Sequence, residues 1–205
     1  MTIAGVFATF SLMMAPTADQ PTVQIDQGVL IGRAEADVTA FKNIPYAAPP
    51  TGERRWRPPG AAPRWRGQRD AGTVGPICIQ APPGGDPGVG PLPMSEDCLN
   101  LNVWRPTSTI QPAPVMVWIH GGGLVNGSGT APLYDGSNLA RRGMVVVTLN
   151  YRLGRLGFFD HPALAAERPA NEPAGNYGLM DVIAALKWVK ANISAFGGDP
   201  EKAEI

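Results

Sequence analysis

Val115-Met116-Val117-Trp118-Ile119-His120-Gly121-Gly122-Gly123 is an apolar, β-branched run that passes directly into a histidine and three consecutive glycines. A run that is apolar on both faces must be covered on both faces, which makes it a strand inside a sheet flanked by helices. Glycine lacks a Cβ, so beyond the strand successive backbone N–H groups can turn toward one point and approach a ligand oxygen closely. Such a concavity suits negative charge, including the oxygen that becomes anionic in the tetrahedral intermediate of acyl transfer. A Gly-rich turn or a phosphate cradle is the plainer alternative. Against the cradle, neither the dinucleotide nor the P-loop spacing is present, and no lysine directly follows the glycines.

The surrounding segments read as alternating strands and helices. Residues 99–104 and 144–149 are further short apolar runs bounded by Gly, Pro and Asn, and residues 134–142 have room for a short crossover helix. Leu179, Val182, Ile183, Leu186, Val189 and Ile193 recur at helical spacing, predicting an amphipathic helix over 178–192 with Asn176 as its candidate cap. Ala203-Glu204-Ile205 then reads as the opening of another strand. This order is that of an α/β protein. Nearer the start, residues 23–25 and 29–31 flank Asp26-Gln27-Gly28 as a hairpin would, and residues 39–41 can add a strand. Over residues 45–93 periodicity disappears among Pro, Gly, Arg and Trp, which predicts a long ordered or partly ordered loop.

Composition narrows the partners. With 17 basic and 17 acidic side chains in 205 residues and a net charge of zero, nothing argues for nucleic acid or anionic lipid. Residues 1–15 carry no charge and have the length of a signal-peptide core, too short to span a bilayer, although the basic segment that should precede such a core is missing. The expectation is a signal peptide or hydrophobic leader over residues 1–20 and a secreted or periplasmic protein. In an exported protein the even pair Cys78 and Cys98 is more often a disulfide than two free thiols. His120 and His161 are the only histidines and neither lies near a cysteine at ligand spacing, so no metal or other cofactor is expected.

Longer motifs carry a family resemblance. Ser95-Glu96-Asp97-Cys98-Leu99-Asn100-Leu101-Asn102-Val103 resembles the second signature of the type B carboxylesterases, the family of the cholinesterases and para-nitrobenzyl esterases. Agreement continues through Gly121-Gly122-Gly123, Asn150-Tyr151-Arg152-Leu153-Gly154, Gly175-Asn176-Tyr177-Gly178-Leu179 with Asp181, and Phe196-Gly197-Gly198-Asp199-Pro200. The His-Gly-Gly-Gly motif is itself the one known from the oxyanion loops of lipases and esterases.

The resemblance implies an α/β-hydrolase fold: the N-terminal part of a mixed, mostly parallel sheet with flanking helices, preceded by a small β-hairpin, over residues 21–205. It implies that Gly122 and Gly123 donate two oxyanion-hole N–H groups and that Cys78 and Cys98 form the first disulfide of the family. It also implies that Arg55 pairs with Glu96 and Arg152 with Asp199. His120 is expected to pack and hydrogen-bond beneath the hole, and His161 to be a surface residue. The activity implied is hydrolysis of small carboxylic esters through an acyl-serine. In similar enzymes the nucleophile elbow G-x-S-x-G follows Phe-Gly-Gly-Asp-Pro within about ten residues. No serine in the chain has glycine two before and two after it, so the 205 residues are expected to stop before the nucleophile strand and to be inactive and poorly stable alone. A non-catalytic, cholinesterase-like binding or adhesion protein is the second reading, since that fold also serves recognition.

Overall fold

The structure is a computed structural model, and it describes residues 20–81, 92–108, 112–167 and 169–205. The apolar leader and part of the Pro/Gly-rich stretch lie outside the described residues. In chain order the strands are β1 (Thr22–Ile25), β2 (Gly28–Ile31), β3 (Arg33–Glu35), β4 (Val38–Pro45), β5 (Gln68–Asp70), β6 (Ile77–Cys78), β7 (Met94–Ser95), β8 (Asn100–Pro106), β9 (Ala113–Ile119), β10 (Val145–Leu149) and β11 (Gly198–Glu204). The helices are α1 (Ser137–Ala140), α2 (Gly154–Phe158), α3 (Pro162–Ala166) and α4 (Tyr177–Asn192).

Six strands form the main sheet in the order β11-β9-β10-β8-β4-β3. Pairings from β3 through β4 and β8 to β10 are antiparallel, and β10–β9 and β9–β11 are parallel, so the parallel part lies toward the β11 edge. That division follows from the connections. A crossover carrying a helix joins β9 to β10 and another joins β10 to β11, and only such connections allow parallel neighbours. The expected hairpin is present, with Val23 opposite Leu30, and β5 from the long Pro-rich segment joins it in parallel. The sequence predicts a loop at β5, because its Gln-Arg-Asp composition carries no strand signal.

Strand β10 is buried along its whole length, and its alternate residues face two cores. Val145, Val147 and Leu149 pack with Val115, Val117, Phe41, Phe196 and the inner face of α4. Val146 packs on the opposite face with Trp104, Val38 and Ala140 of α1. The chain therefore leaves β9 over one face and β10 over the other. The connection from β9 runs to β10, and that from β10 runs back across β9 to β11 on the opposite face; the carboxyl ends of parallel strands are the usual ligand side of an open α/β sheet.

Helix α4 is fastened to the hairpin turn as well as to the sheet. The Asp26 N–H donates to Asn192 Oδ1 at 3.0 Å, Trp188 Nε1 donates to Gln27 Oε1 at 3.1 Å, and the Phe41 and Phe196 rings meet edge to face at 5.2 Å. At its N-terminus Asn176 occupies the cap position but with φ +52° and no capping bond from its side chain; its backbone carbonyl instead accepts from Leu179 N and Met180 N. The expected side-chain cap is thus not made. Left-handed backbone suits asparagine, but it differs from the extended conformation from which a cap side chain reaches the first turn.

Candidate functional site

Strand β9 delivers His120 just past its carboxyl end, where the residue is 2% exposed and its ring stacks on Tyr151, centroids 4.5 Å apart. The Tyr151 hydroxyl donates to the His120 carbonyl at 3.0 Å. His120 Nδ1 stands 2.8 Å from the Gly121 carbonyl oxygen. A carbonyl only accepts, so Nδ1 carries the proton and Nε2 is a bare acceptor. Among the described residues Nε2 has no partner. Burial holds the imidazole below the ordinary histidine range, with the Gly121 bond acting weakly the other way.

A pH dependence follows. The unfolded chain titrates this histidine near about 6.5 and the folded chain lower. Folding stability is then fully present above about 6.5 and is lost as the pH falls through the folded value. The thermal midpoint is expected to drop between pH 7 and 5, and to drop less in His120→Gln. Equal slopes for the two proteins would show that His120 contributes nothing.

The peptide units after His120 are each held by their carbonyl. Gly121 O is engaged by the imidazole, and Gly122 O accepts from Val125 N at 3.1 Å and Asn126 N at 3.2 Å. In a trans peptide the N–H points opposite the C=O, so the N–H groups of Gly122 and Gly123 point away from these anchors. Both residues are exposed, and neither N–H makes a hydrogen bond among the described residues. Gly122 has φ +117°, and a Cβ there would lie 2.0 Å from the Asn126 carbonyl oxygen. Only glycine fits that position. The loop is also tied to the turn after β10, because Gly154 N donates to Leu124 O at 2.8 Å.

Asn150, at the end of β10, seats the second half of the loop. Its Oδ1 accepts from Ser128 Oγ and Gly129 N, both at 2.9 Å, and its Nδ2 donates to Thr130 Oγ1 at 3.1 Å and Pro76 O at 3.2 Å. Thr148 Oγ1 donates to Gly129 O at 2.6 Å. Asn150, Ser128 and Thr148 are buried, so each lost partner would leave a desolvated polar group, costing about 1–3 kcal/mol. Asn150→Ala is expected to destabilise the protein by about that much in urea unfolding; an unchanged midpoint would contradict it. Ser128, Thr130 and Thr148 carry no sequence signal for this role, because hydroxyls in and around a Gly-rich loop ordinarily face solvent.

Arg152 and Asp199 do not pair. Arg152 Nε and Nη2 each donate to an Asp181 carboxylate oxygen at 2.7 Å, with the Arg152 backbone N–H adding a third bond at 3.1 Å. The side chains are 4% and 0% exposed. Burial pushes the Asp181 carboxyl up, while the three bonds from Arg152 pull it down. Asp199 instead caps the Glu201 N–H and faces Lys202 at 3.4 Å. The reason is positional: Asp181 lies one turn into α4, which packs on α2 directly after Arg152, whereas Asp199 stands at the sheet edge.

Arg55 makes two 2.6 Å bonds to Glu96, which raise its already high pKa. Cys78 and Cys98 form a disulfide with Cα atoms 5.0 Å apart. His161 is exposed and caps α3, its Nδ1 accepting from Ala163 N at 3.2 Å.

The last strand runs toward the same place. β11 pairs with β9 in parallel, Ala203 opposite Val115 and Glu204 opposite Met116. At that register Ile205 is level with Val117, so the strand direction leads to His120 and the glycines.

The carboxylesterase family model matches residues 19–205. The chain is 47% identical over 201 residues to fumonisin B1 esterase of Sphingopyxis macrogoltabida, covering 97% of this chain and 36% of that protein. It is 45% identical over 186 residues to para-nitrobenzyl esterase of Bacillus subtilis (strain 168), covering 89% of this chain and 37% of that one. A solved para-nitrobenzyl esterase structure superposes with a TM-score of 0.83 at 44% identity, over 90% of this chain and 38% of its own. The chain therefore spans a little over a third of the length of these relatives. With the glycine loop at the carboxyl end of β9 and this match over nearly the whole sequence, the chain belongs to the carboxylesterase family and has the α/β-hydrolase fold.

Proposed function

We propose that these residues supply the oxyanion-binding half of a serine carboxylesterase, with Gly122 and Gly123 as donors to the carbonyl oxygen of a carboxylic ester. The observation that carries this reading is the pair of outward N–H groups, each fixed by the opposite carbonyl of its own peptide unit and neither bonded among the described residues. Donors set in place before reaction need no reorganisation when charge develops on the oxygen, which is why such groups act on the transition state more than on the ester. Burial disfavours the charged form of His120 and its Nδ1–H is committed to Gly121, so its part is to hold the loop.

In the acyl-enzyme route a serine adds to the ester carbonyl, a histidine takes the serine proton and passes it to the departing alcohol, and an acid orients that histidine. β11 runs parallel to β9 toward the glycines, the end of the sheet at which such a serine has to stand to reach the same carbonyl carbon. The relatives are named for different substrates at similar identity, so the reading extends to the reaction class.

We also propose export. The disulfide fits an oxidising compartment.

The test is hydrolysis of para-nitrophenyl butyrate by the protein as its gene encodes it, with and without prior treatment by a fluorophosphonate. Turnover abolished by one covalent label per chain is expected. Folded protein that neither turns over nor takes the label would remove the esterase reading.

A further inference from the structure

We propose that Gln80 is a positioning residue for the glycine loop, acting through Gly127; the inference rests on Gly122 and Gly123 being the oxyanion donors. The Gln80 carboxamide meets Gly127 at two points, Nε2 donating to Gly127 O and Oε1 accepting from Gly127 N, both at 2.8 Å. One side chain thus stands in for a whole strand rung. Gln80 is itself held in place, since Nε2 also donates to Cys78 O at 3.1 Å and Cys78 is bonded to Cys98.

Gly127 is the wall of the His120 site. It has φ +113°, and a Cβ there would lie 2.3 Å from His120 Nδ1 and 2.4 Å from Gly121 O, the two atoms of the bond that orients the Gly121–Gly122 peptide. The backbone of Gly127 therefore closes directly over that bond. On its other side Ser128 and Gly129 are fixed by Asn150. Releasing Gln80 frees one side of the wall only, allowing the imidazole and the Gly121 carbonyl to shift and the Gly122 N–H to turn with them. Among the described residues Gln80 makes no hydrogen bond to Gly121, Gly122 or Gly123, so its effect is indirect.

The experiment uses glycine-selective ¹⁵N labelling of the protein as its gene encodes it, comparing Gln80→Met, which keeps the length and loses both bonds, with Gln80→Glu, which keeps an acceptor for Gly127 N–H. Loss of a hydrogen bond is expected to speed Gly127 amide exchange by about tenfold in Gln80→Met and less in Gln80→Glu. The Gly122 and Gly123 resonances are expected to shift in the same order, with Gly52 and Gly143, in other turns, unmoved. Faster exchange at Gly127 with Gly122 and Gly123 unchanged overturns the inference, as does an equal shift at all five glycines, which means general loosening. Because the readout does not involve ester turnover, the coupling can fail while the oxyanion reading stands, and a failure of that reading shows separately in the para-nitrophenyl butyrate assay.

Discussion

Asp181→Ala is expected to lower the unfolding free energy by about 3–5 kcal/mol, more than the loss of any neutral hydrogen bond in the loop network around Asn150. The carboxylate is fully buried and accepts three bonds from Arg152, whose side chain is 4% exposed. Removing it strands a cation in the core, with Nη1 on the Arg57 carbonyl as its remaining hydrogen bond. Guanidinium cannot escape by deprotonation, so the desolvation cost falls on the folded state. The pair's net worth is a separate matter: two charges removed together leave no uncompensated ion. The double variant Arg152→Met with Asp181→Leu is accordingly expected to be less destabilised than Asp181→Ala. Urea unfolding of both variants measures this. A loss under about 1 kcal/mol in Asp181→Ala would mean that water reaches Arg152 and the pair is not a buried one.

Gly122→Ala is expected to cut kcat for ester hydrolysis by about 10²–10³-fold, equivalent to roughly 2.7–4 kcal/mol of transition-state stabilisation, as when one oxyanion donor is lost. The cause is steric. Its Cβ would overlap the Asn126 carbonyl oxygen at 2.0 Å and Oδ1 at 2.3 Å, so the peptide must rotate and carry the N–H away. The neighbours differ in an informative way. Gly123 has φ +61° but open space around a Cβ, so alanine there meets backbone strain alone, about 1–2 kcal/mol. Gly121 has no positive φ and a Cβ there would meet nothing within 4 Å, so its alanine variant is expected to show the smallest effect of the three. KM should change little along the series, because the ground-state carbonyl makes less of these donors than the oxyanion does. A flat kcat across the three variants would show that the glycines serve chain folding and not catalysis.

Much of this was legible in the chain itself because it is local. Apolar runs at 115–119 and 144–149 became β9 and β10, and His120 with three glycines marked the loop that follows β9; the spacing from Leu179 marked the helix α4 but not its inner face, since Leu179 and Ile183 are exposed and Asp181, Ala185, Trp188 and Val189 are among the buried residues. Such signals depend on burial periodicity and on the missing Cβ of glycine, which each residue carries with it. β5 was not legible, since Gln68-Arg69-Asp70 pairs only because β2 offers it an edge. Nor was Asn176, whose capping letter sits in a left-handed conformation set by the turn before α4.

Pairing between distant residues is where the tertiary structure alone decided. Arg152 lies 29 residues before Asp181 and 47 before Asp199, and either carboxylate has the charge to neutralise it. The packing of α2 on α4 brings Asp181 to 2.7 Å while the crossover carries Asp199 to the sheet edge. Gln80 and Gly127 meet for the same kind of reason, across 47 residues. By itself the sequence determined which segments are buried and where backbone can approach an anion. Which polar group completes each buried bond depended on how the layers stack, because a hydrogen bond is decided within a few tenths of an ångström and residue type alone does not carry that position.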